Sequence, residues 1–152
     1  MATLIIDDKK AREIYPGAPD SLKAILEQTF GGKKFFEQKI TDRVKTFEDV
    51  LQILGESFNV RGGETADEIA YRKLKLIARC LNEGWSPDWN DEDQEKYYPW
   101  FYMDSDPGFG LGSVRCHLSV SDVGSRLCFK TEALAKHAVN HFLDIYKNYF
   151  TL

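Results

Sequence analysis

Apolar side chains recur at helical spacing through most of the first 84 residues of the chain. Leu22, Leu26 and Phe30 lie four residues apart, as they would on one face of an α-helix. Polar caps and glycine or proline stops divide this region into predicted helices. These run from Asp7–Asp8 to about Tyr15, from Pro19–Ser21 to Gly31–Gly32, from Phe35 to Val44, from Thr46 to Gly55, and from Thr65 to Gly84.

The last two of these helices carry the clearest N-terminal signals. Thr46 is a typical N-cap residue, and Thr65 is followed three residues later by Glu68, which is the spacing of a capping box. Upstream of all the predicted helices, the apolar run Thr3–Ile6 is typical of an edge strand or a hydrophobic staple.

After the acidic segment 85–95 the hydrophobic period changes to two. This pattern predicts antiparallel strands near Tyr97–Met103, Phe109–Val120 and Ser125–Lys130, separated by turns at Asp104–Gly108 and Ser121–Gly124. A final helix, capped by Thr131, presents a wide apolar stripe to cover one face of the sheet.

We therefore predict an α+β fold and a single compact domain over residues 1–152. A mainly helical half (1–84) and an acidic linker (85–95) precede a short antiparallel β-meander packed against a C-terminal helix (96–152).

In the first strand, alternation places Tyr98, Trp100 and Tyr102 on one face and Phe101 on the other. Because one helix cannot hide both apolar faces, we expect aromatic side chains around Phe109 and the first turn to stay accessible.

The composition narrows the classes of function. Aromatic residues make up 13% of the 152 residues, which is too high for a disordered chain, and the net charge of −4 disfavours a surface built entirely for nucleic acid. The sequence has no membrane-spanning apolar run, and Met1–Asp7 lacks the features of a secretion signal. We expect a cytoplasmic protein whose three cysteines are reduced.

Two histidines and two cysteines are candidate ligands for a zinc site. His137 and His141 are four residues apart on the final helix, and Cys116 and Cys128 lie in predicted strands. No close cysteine pair is present to chelate a metal, so we predict no bound zinc and no other cofactor.

No catalytic motif is complete. Three serines lie near His117 without a Gly-x-Ser-x-Gly elbow, and the glycine-rich segment Gly108–Val114 leads into a strand where a dinucleotide loop requires a helix. Asp104 and Asp106 have the turn-forming role of aspartates in loops. These observations favour a protein that is not an enzyme.

A basic helix face offers a nucleic-acid hypothesis. Arg72, Lys75 and Arg79 share one face of the helix that begins after Thr65, and two tryptophans follow it. Cations that meet phosphates, with aromatic rings that stack on bases, are typical of single-strand binding. The candidate residues are Arg72, Lys75, Arg79, Trp85, Trp89 and Phe109.

Several segments carry a family resemblance. They are Phe35–Phe36, Ile40–Arg43, Lys45–Asp49, Asp67–Lys75, Leu81–Trp85, Lys96–Phe101, Val123–Lys130 and Phe142–Tyr146. Through them the chain resembles a family of short uncharacterised proteins of gut Bacteroides-type bacteria and their phages and prophages. The resemblance covers most of the chain and implies a phage or mobile-element origin, but it provides no catalytic residues. The segments Asp104–Gly108 and Arg115–His117 fill the variable part of the family pattern.

The function that the sequence favours is non-enzymatic binding of a macromolecule, most plausibly a protein, through the aromatic sheet face and the variable turn. The anchors would be Tyr97, Trp100, Tyr102 and Phe109, because aromatic residues dominate interface energetics. The alternative is a nucleic-acid-binding accessory protein that uses the basic helix face. The acidic net charge favours the protein partner.

Overall fold

A computed structural model describes residues 5–152 of the chain. The contacts divide the chain into a first unit that ends at Asp42 and a second unit, Arg43–Leu152. The helices are α1 (Asp8–Ile14), α2 (Asp20–Phe30), α3 (Lys33–Glu37), α4 (Ile40–Arg43), α5 (Phe47–Leu54), α6 (Ala66–Leu81) and α7 (Glu132–Phe150), and the strands are β1 (Lys96–Tyr102) and β2 (Gly110–His117). The predicted α+β class is confirmed. Thr3 and Leu4 of the predicted run Thr3–Ile6 lie outside the described residues.

The first unit is built from short helices around an aromatic cluster. Asp7 caps α1 by accepting a 2.8 Å bond from the backbone N–H of Lys10, and α2 ends where Gly31 takes a left-handed conformation. Tyr15 stacks on Phe36 with ring centroids 3.9 Å apart. The predicted boundaries of these two helices are confirmed, with the 3₁₀ turn Tyr15–Gly17 added after α1.

The helical period predicted from Phe35 to Val44 does not form one helix. Gln38 has an extended ψ of 127°, and this residue separates α3 from α4. The Asp42 carboxylate accepts a 3.2 Å hydrogen bond from the backbone N–H of Lys39, so the chain restarts a helix at this point. Apolar spacing alone therefore overestimated the length of the helix.

In the second unit, α5 and α6 begin at the predicted caps. The Thr46 hydroxyl accepts from the backbone N–H of Asp49 at 3.2 Å, and the Asp49 carboxylate accepts from the backbone N–H of Thr46 at 2.9 Å. These two bonds complete a capping box. The Asp49 carboxylate also accepts from the backbone N–H of Lys45 at 2.9 Å, and the bonds from Lys45 and Thr46 lower the pKa of the Asp49 carboxyl. At α6, Glu68 accepts a 2.8 Å bond from the backbone N–H of Thr65.

Replacing Thr46 by Ala is expected to lower the free energy of unfolding by about 1 kcal/mol, because a backbone donor at the start of α5 loses its partner. Urea denaturation measures the change. Thr46→Ser is the matched control, since it keeps the hydroxyl, and we expect it to stay within a few tenths of a kcal/mol of the parent protein. Equal midpoints for Thr46→Ala and the parent protein would contradict the cap.

The sheet is an antiparallel hairpin in which Lys96 pairs with His117 and Tyr102 with Gly110. Trp100 pairs with Ser113, but the next residue of β1 pairs with Leu111, so the extra residue of the β-bulge is Gly112. A Cβ at this position would come within 3.1 Å of the Trp100 carbonyl oxygen, so only glycine fits without displacement. The alternation of side chains along β1 is preserved.

The predicted third strand is reduced to one isolated bridge. Phe129 and Tyr97 exchange backbone bonds of 3.0 and 2.7 Å, so this segment lies beside β1, whereas a meander would place it beside β2. The neighbouring backbone groups are taken by Asn82, whose side-chain amide donates to the Cys128 carbonyl at 2.9 Å and accepts from the Lys130 N–H at 3.0 Å. Asn82 therefore holds the edge of this segment that faces away from β1.

Helix α7 contacts both strands and packs against α6. Its buried face contains alanines, Val139, Phe142 and Tyr146, as the predicted apolar stripe requires. None of the helices within residues 5–152 combines the length and the apolar character needed to cross a membrane.

Candidate binding surfaces

One face of the hairpin is uncovered at the Trp100 end of β1. The side chain of Trp100 is 41% exposed, that of Tyr102 49%, and that of Met103, which follows the strand, 56%. The Arg115 guanidinium of β2 lies over the Trp100 ring, 3.9 Å from its centroid, and the Tyr102 ring lies over Gly112. The expectation that aromatics of the hairpin stay accessible is confirmed for Trp100 and Tyr102. We call Trp100, Tyr102 and Arg115 the open sheet face.

The same face is closed at its other end, where Tyr98 is only 1% exposed. Its hydroxyl lies 2.7 Å from Nε2 of His117 and donates to the Asp122 carboxylate at 3.1 Å. Burial, followed by the bond to Asp122, raises the pKa of Tyr98 to about 12, so the hydroxyl keeps its proton at neutral pH. This cluster fixes the chain after β2 against the sheet and supports the ring of Trp100.

Lys96, at the start of β1, is also fully buried. Its ammonium donates to the backbone carbonyls of Asp91 at 3.1 Å and Gln94 at 2.7 Å, and it lies 5.3 Å from the centroid of the Trp89 ring. The Trp89 indole N–H donates to the Ser125 hydroxyl at 2.7 Å. The acidic segment 85–95 is therefore held against the sheet, and Trp89, a predicted nucleic-acid contact, packs on a buried lysine.

The opposite face of the hairpin packs under α7. Phe101 lies 5.1 Å from Tyr146 and 5.3 Å from Phe150, measured between ring centroids. Phe109, a predicted anchor of both hypotheses, stacks on Phe101 at 4.8 Å and is half-buried. Tyr97 is also half-buried, on this side of the sheet, and its hydroxyl donates to Glu95. Of the four predicted anchors, only Trp100 and Tyr102 share the open sheet face.

The predicted basic residues of α6 line a groove of about 490 Å³. Its walls are α6, the loop after α5, the segment 85–87 and the turn at 125–126. The charged and aromatic side chains that face it include Arg72, Lys75, Arg79, Trp85 and Arg126. The structure therefore brings together most of the residues of the nucleic-acid hypothesis, and it adds Arg126, which is far away in sequence. We call this site the basic groove.

The cations of the basic groove differ in their partners. Arg72 is held by two bonds of 2.6 and 2.8 Å to the Glu64 carboxylate and lies over the Phe58 ring, whereas Arg79 pairs with Glu56. A backbone bond from Arg61 and the bond from Arg72 lower the pKa of Glu64, so this ion pair is present at neutral pH.

Lys75 and Arg126 have no such compensation. Within the part of the chain that the structure describes, no carboxylate lies within ion-pair distance of either side chain. Lys75 is half-buried, with its ammonium 4.9 Å from the centroid of the Tyr71 ring, and Arg126 is exposed. The groove therefore carries uncompensated positive charge.

The histidines and cysteines of the zinc hypothesis are separated. His137 donates from Nε2 to the Val44 carbonyl at 2.6 Å, with the His141 ring beside it. Burial raises the pKa of Cys80 and Cys128 to about 11, so both stay protonated at neutral pH, which is the opposite of an activated thiolate. Among residues 5–152, no three His, Cys, Asp or Glu side chains are placed to hold a metal ion.

Sequence reasoning missed several residues that these surfaces use. Arg115 pairs with Tyr98, so its side chain lies on the same face of the hairpin as Trp100. This pairing register could not be predicted from the sequence, because it depends on the bulge at Gly112. Arg126 and the cluster of Tyr98, His117 and Asp122 depend on how the chain returns after β2, for which the sequence contains no local signal.

The chain matches no protein-family model, no curated protein and no solved structure.

Proposed function

We propose that this chain is a non-enzymatic, cytoplasmic binding protein of phage or mobile-element origin that engages a partner protein through the open sheet face and the adjacent turn. The origin is supported by the resemblance of its sequence segments to proteins of gut Bacteroides-type bacteria and their phages. The binding role is supported by the surface itself, because an uncovered aromatic sheet face is the kind of patch that marks an interaction site.

The observation that carries the proposal is the composition of the open sheet face. Trp100, Tyr102 and Arg115 belong to the residue types that are enriched at the cores of protein interfaces. The Arg115 guanidinium is held over the indole, and Trp100 contacts the buried ring of Tyr98. These contacts limit the freedom of Trp100 before any partner arrives, so less conformational entropy is lost on binding.

The turn Asp104–Gly108 extends this face, since residues 104–107 are all exposed. It contains Asp104 and Asp106, so the partner that fits best presents an apolar pocket for Trp100 beside basic or hydrogen-bonding groups for these aspartates. The apolar anchor would then lie at the centre of the interface and the charges at its rim, which is the usual arrangement in protein–protein interfaces.

The test is affinity capture from a nuclease-treated Bacteroides-type lysate, with the purified chain and its variants compared. A bound protein should be retained by the parent chain and lost with Trp100→Ala, since removal of an interface anchor typically weakens binding by about 30-fold or more. Val60→Ala truncates an exposed apolar side chain elsewhere and is the matched control. Retention of the same proteins by Trp100→Ala, or their loss on nuclease treatment, would contradict the proposal.

A further inference from the structure

We propose that the basic groove binds a nucleoside phosphate unit, with the phosphate between Lys75 and Arg126 and the base against Trp85. The site uses none of the residues of the open sheet face, so its test is independent of the test of the protein-partner proposal. Its volume of about 490 Å³ is within the range of small-molecule sites and accommodates one nucleotide.

Charge is the first argument. The lining contains four basic side chains and one carboxylate, in a chain whose net charge is −4. Two of the cations, Arg72 and Arg79, are held in place by Glu64 and Glu56 and give the wall a fixed shape. Lys75 and Arg126 are left to neutralise an anion, and they come from different walls of the groove.

The shape of the lining is the second argument. Trp85 is half-buried and lies at the groove beside Pro87, so one flat aromatic surface borders the same space as the uncompensated cations. An inorganic anion would contact only the cations and would make no contact that requires the indole of Trp85. A base attached to the phosphate uses both, because base–aromatic stacking is sequence-tolerant and stabilising. The same unit occurs in a free nucleotide and in a single-stranded nucleic acid.

Fluorescence anisotropy with a labelled thymidine octamer, with AMP and inorganic phosphate as competitors, tests this site. We expect Trp85→Ala to weaken binding by about tenfold, as expected for one stacked base. Lys75→Gln and Arg126→Gln should each weaken it and should lower its dependence on salt, which for one neutralised phosphate of a single strand has a slope of about −0.7 in a log–log plot of the association constant against salt concentration. Lys147→Gln removes a positive charge from α7 and is the matched control.

Competition separates the two sources of the unit. Binding of the octamer with weak competition by AMP identifies a single-stranded nucleic acid, and full competition by AMP identifies a free nucleotide; both results support the site. The proposal is overturned if neither the octamer nor AMP binds at low salt, if inorganic phosphate competes as well as AMP, or if Lys147→Gln weakens binding as much as Lys75→Gln. Circular dichroism of each variant confirms that a loss of binding does not come from unfolding.

Discussion

Replacement of Tyr98 by Ala is expected to lower the free energy of unfolding by about 3–5 kcal/mol, which is the range for removing a large buried aromatic side chain. The ring is fully buried between Trp100 and His117, with centroids 6.4 and 4.8 Å away. Removal of the ring leaves a cavity under the open sheet face and also removes the hydroxyl between His117 and Asp122. Urea denaturation followed by far-UV circular dichroism measures the loss.

Tyr98→Phe is the matched control, because it keeps the ring and removes only the hydroxyl. We expect it to cost about 1.5–3 kcal/mol, the usual effect of losing a hydrogen bond to a charged partner. If Tyr98→Phe destabilised the chain as much as Tyr98→Ala, the hydrogen-bond cluster and not ring packing would dominate. If neither variant changed the denaturation midpoint, the closed end of the sheet would not contribute to stability.

The same residue predicts a pH dependence. Its folded-state pKa of about 12 exceeds the ordinary value of 10, so the fold favours the protonated hydroxyl. The stabilisation is complete below pH 10 and is lost as the pH rises toward 12. Tyr98→Phe should reduce this alkaline loss without abolishing it, because the bonds of Tyr97 to Glu95 and Tyr15 to Glu27 raise the pKa of both phenols to about 12 as well.

Local signals in the sequence predicted the helices well. Thr46, Thr65 and Thr131 begin α5, α6 and α7 as expected, and Gly31 and Gly55 end α2 and α5 in the left-handed conformation. Each of these positions depends on residues within four positions along the chain, so the necessary information is local. The same reasoning failed between Phe35 and Val44, where an Asp42 cap restarts the helix within a continuous apolar period.

Non-local pairing set the limit of the sequence analysis. Strand propensity in Ser125–Lys130 does not reveal that Asn82, more than 40 residues earlier, binds its backbone groups. The sequence predicted the helical wall of the basic groove from the i, i+3 and i+7 spacing of Arg72, Lys75 and Arg79, and it predicted Trp85 as an aromatic contact. The approach of Arg126 is a tertiary property that no local pattern predicts. The open sheet face was predicted only as a type of surface, because two of its four predicted anchors, Tyr97 and Phe109, lie on the opposite side of the hairpin, where Phe109 stacks on Phe101 under α7.

Asn82→Ala is expected to lower the free energy of unfolding by about 2–4 kcal/mol. Asn82 is buried at the C-terminal end of α6, and its amide satisfies the Cys128 carbonyl and the Lys130 N–H. Alanine leaves both backbone groups without partners in a region where Cys128 and Phe129 are fully buried, and each unsatisfied group costs about 1–3 kcal/mol. The bridge between Phe129 and Tyr97 should loosen with them, because it lies between the two anchored groups.

Asn148→Ala makes the same chemical change at an exposed position of α7 and should stay within about 0.5 kcal/mol of the parent protein. Chemical denaturation gives the stabilities of both variants, and hydrogen exchange at the Phe129 amide reports the bridge directly. Faster exchange at Phe129 in Asn82→Ala, with Asn148→Ala unchanged, is the expected result. A loss below about 1 kcal/mol with unchanged exchange would mean that the bridge to Tyr97 holds the segment without the Asn82 amide.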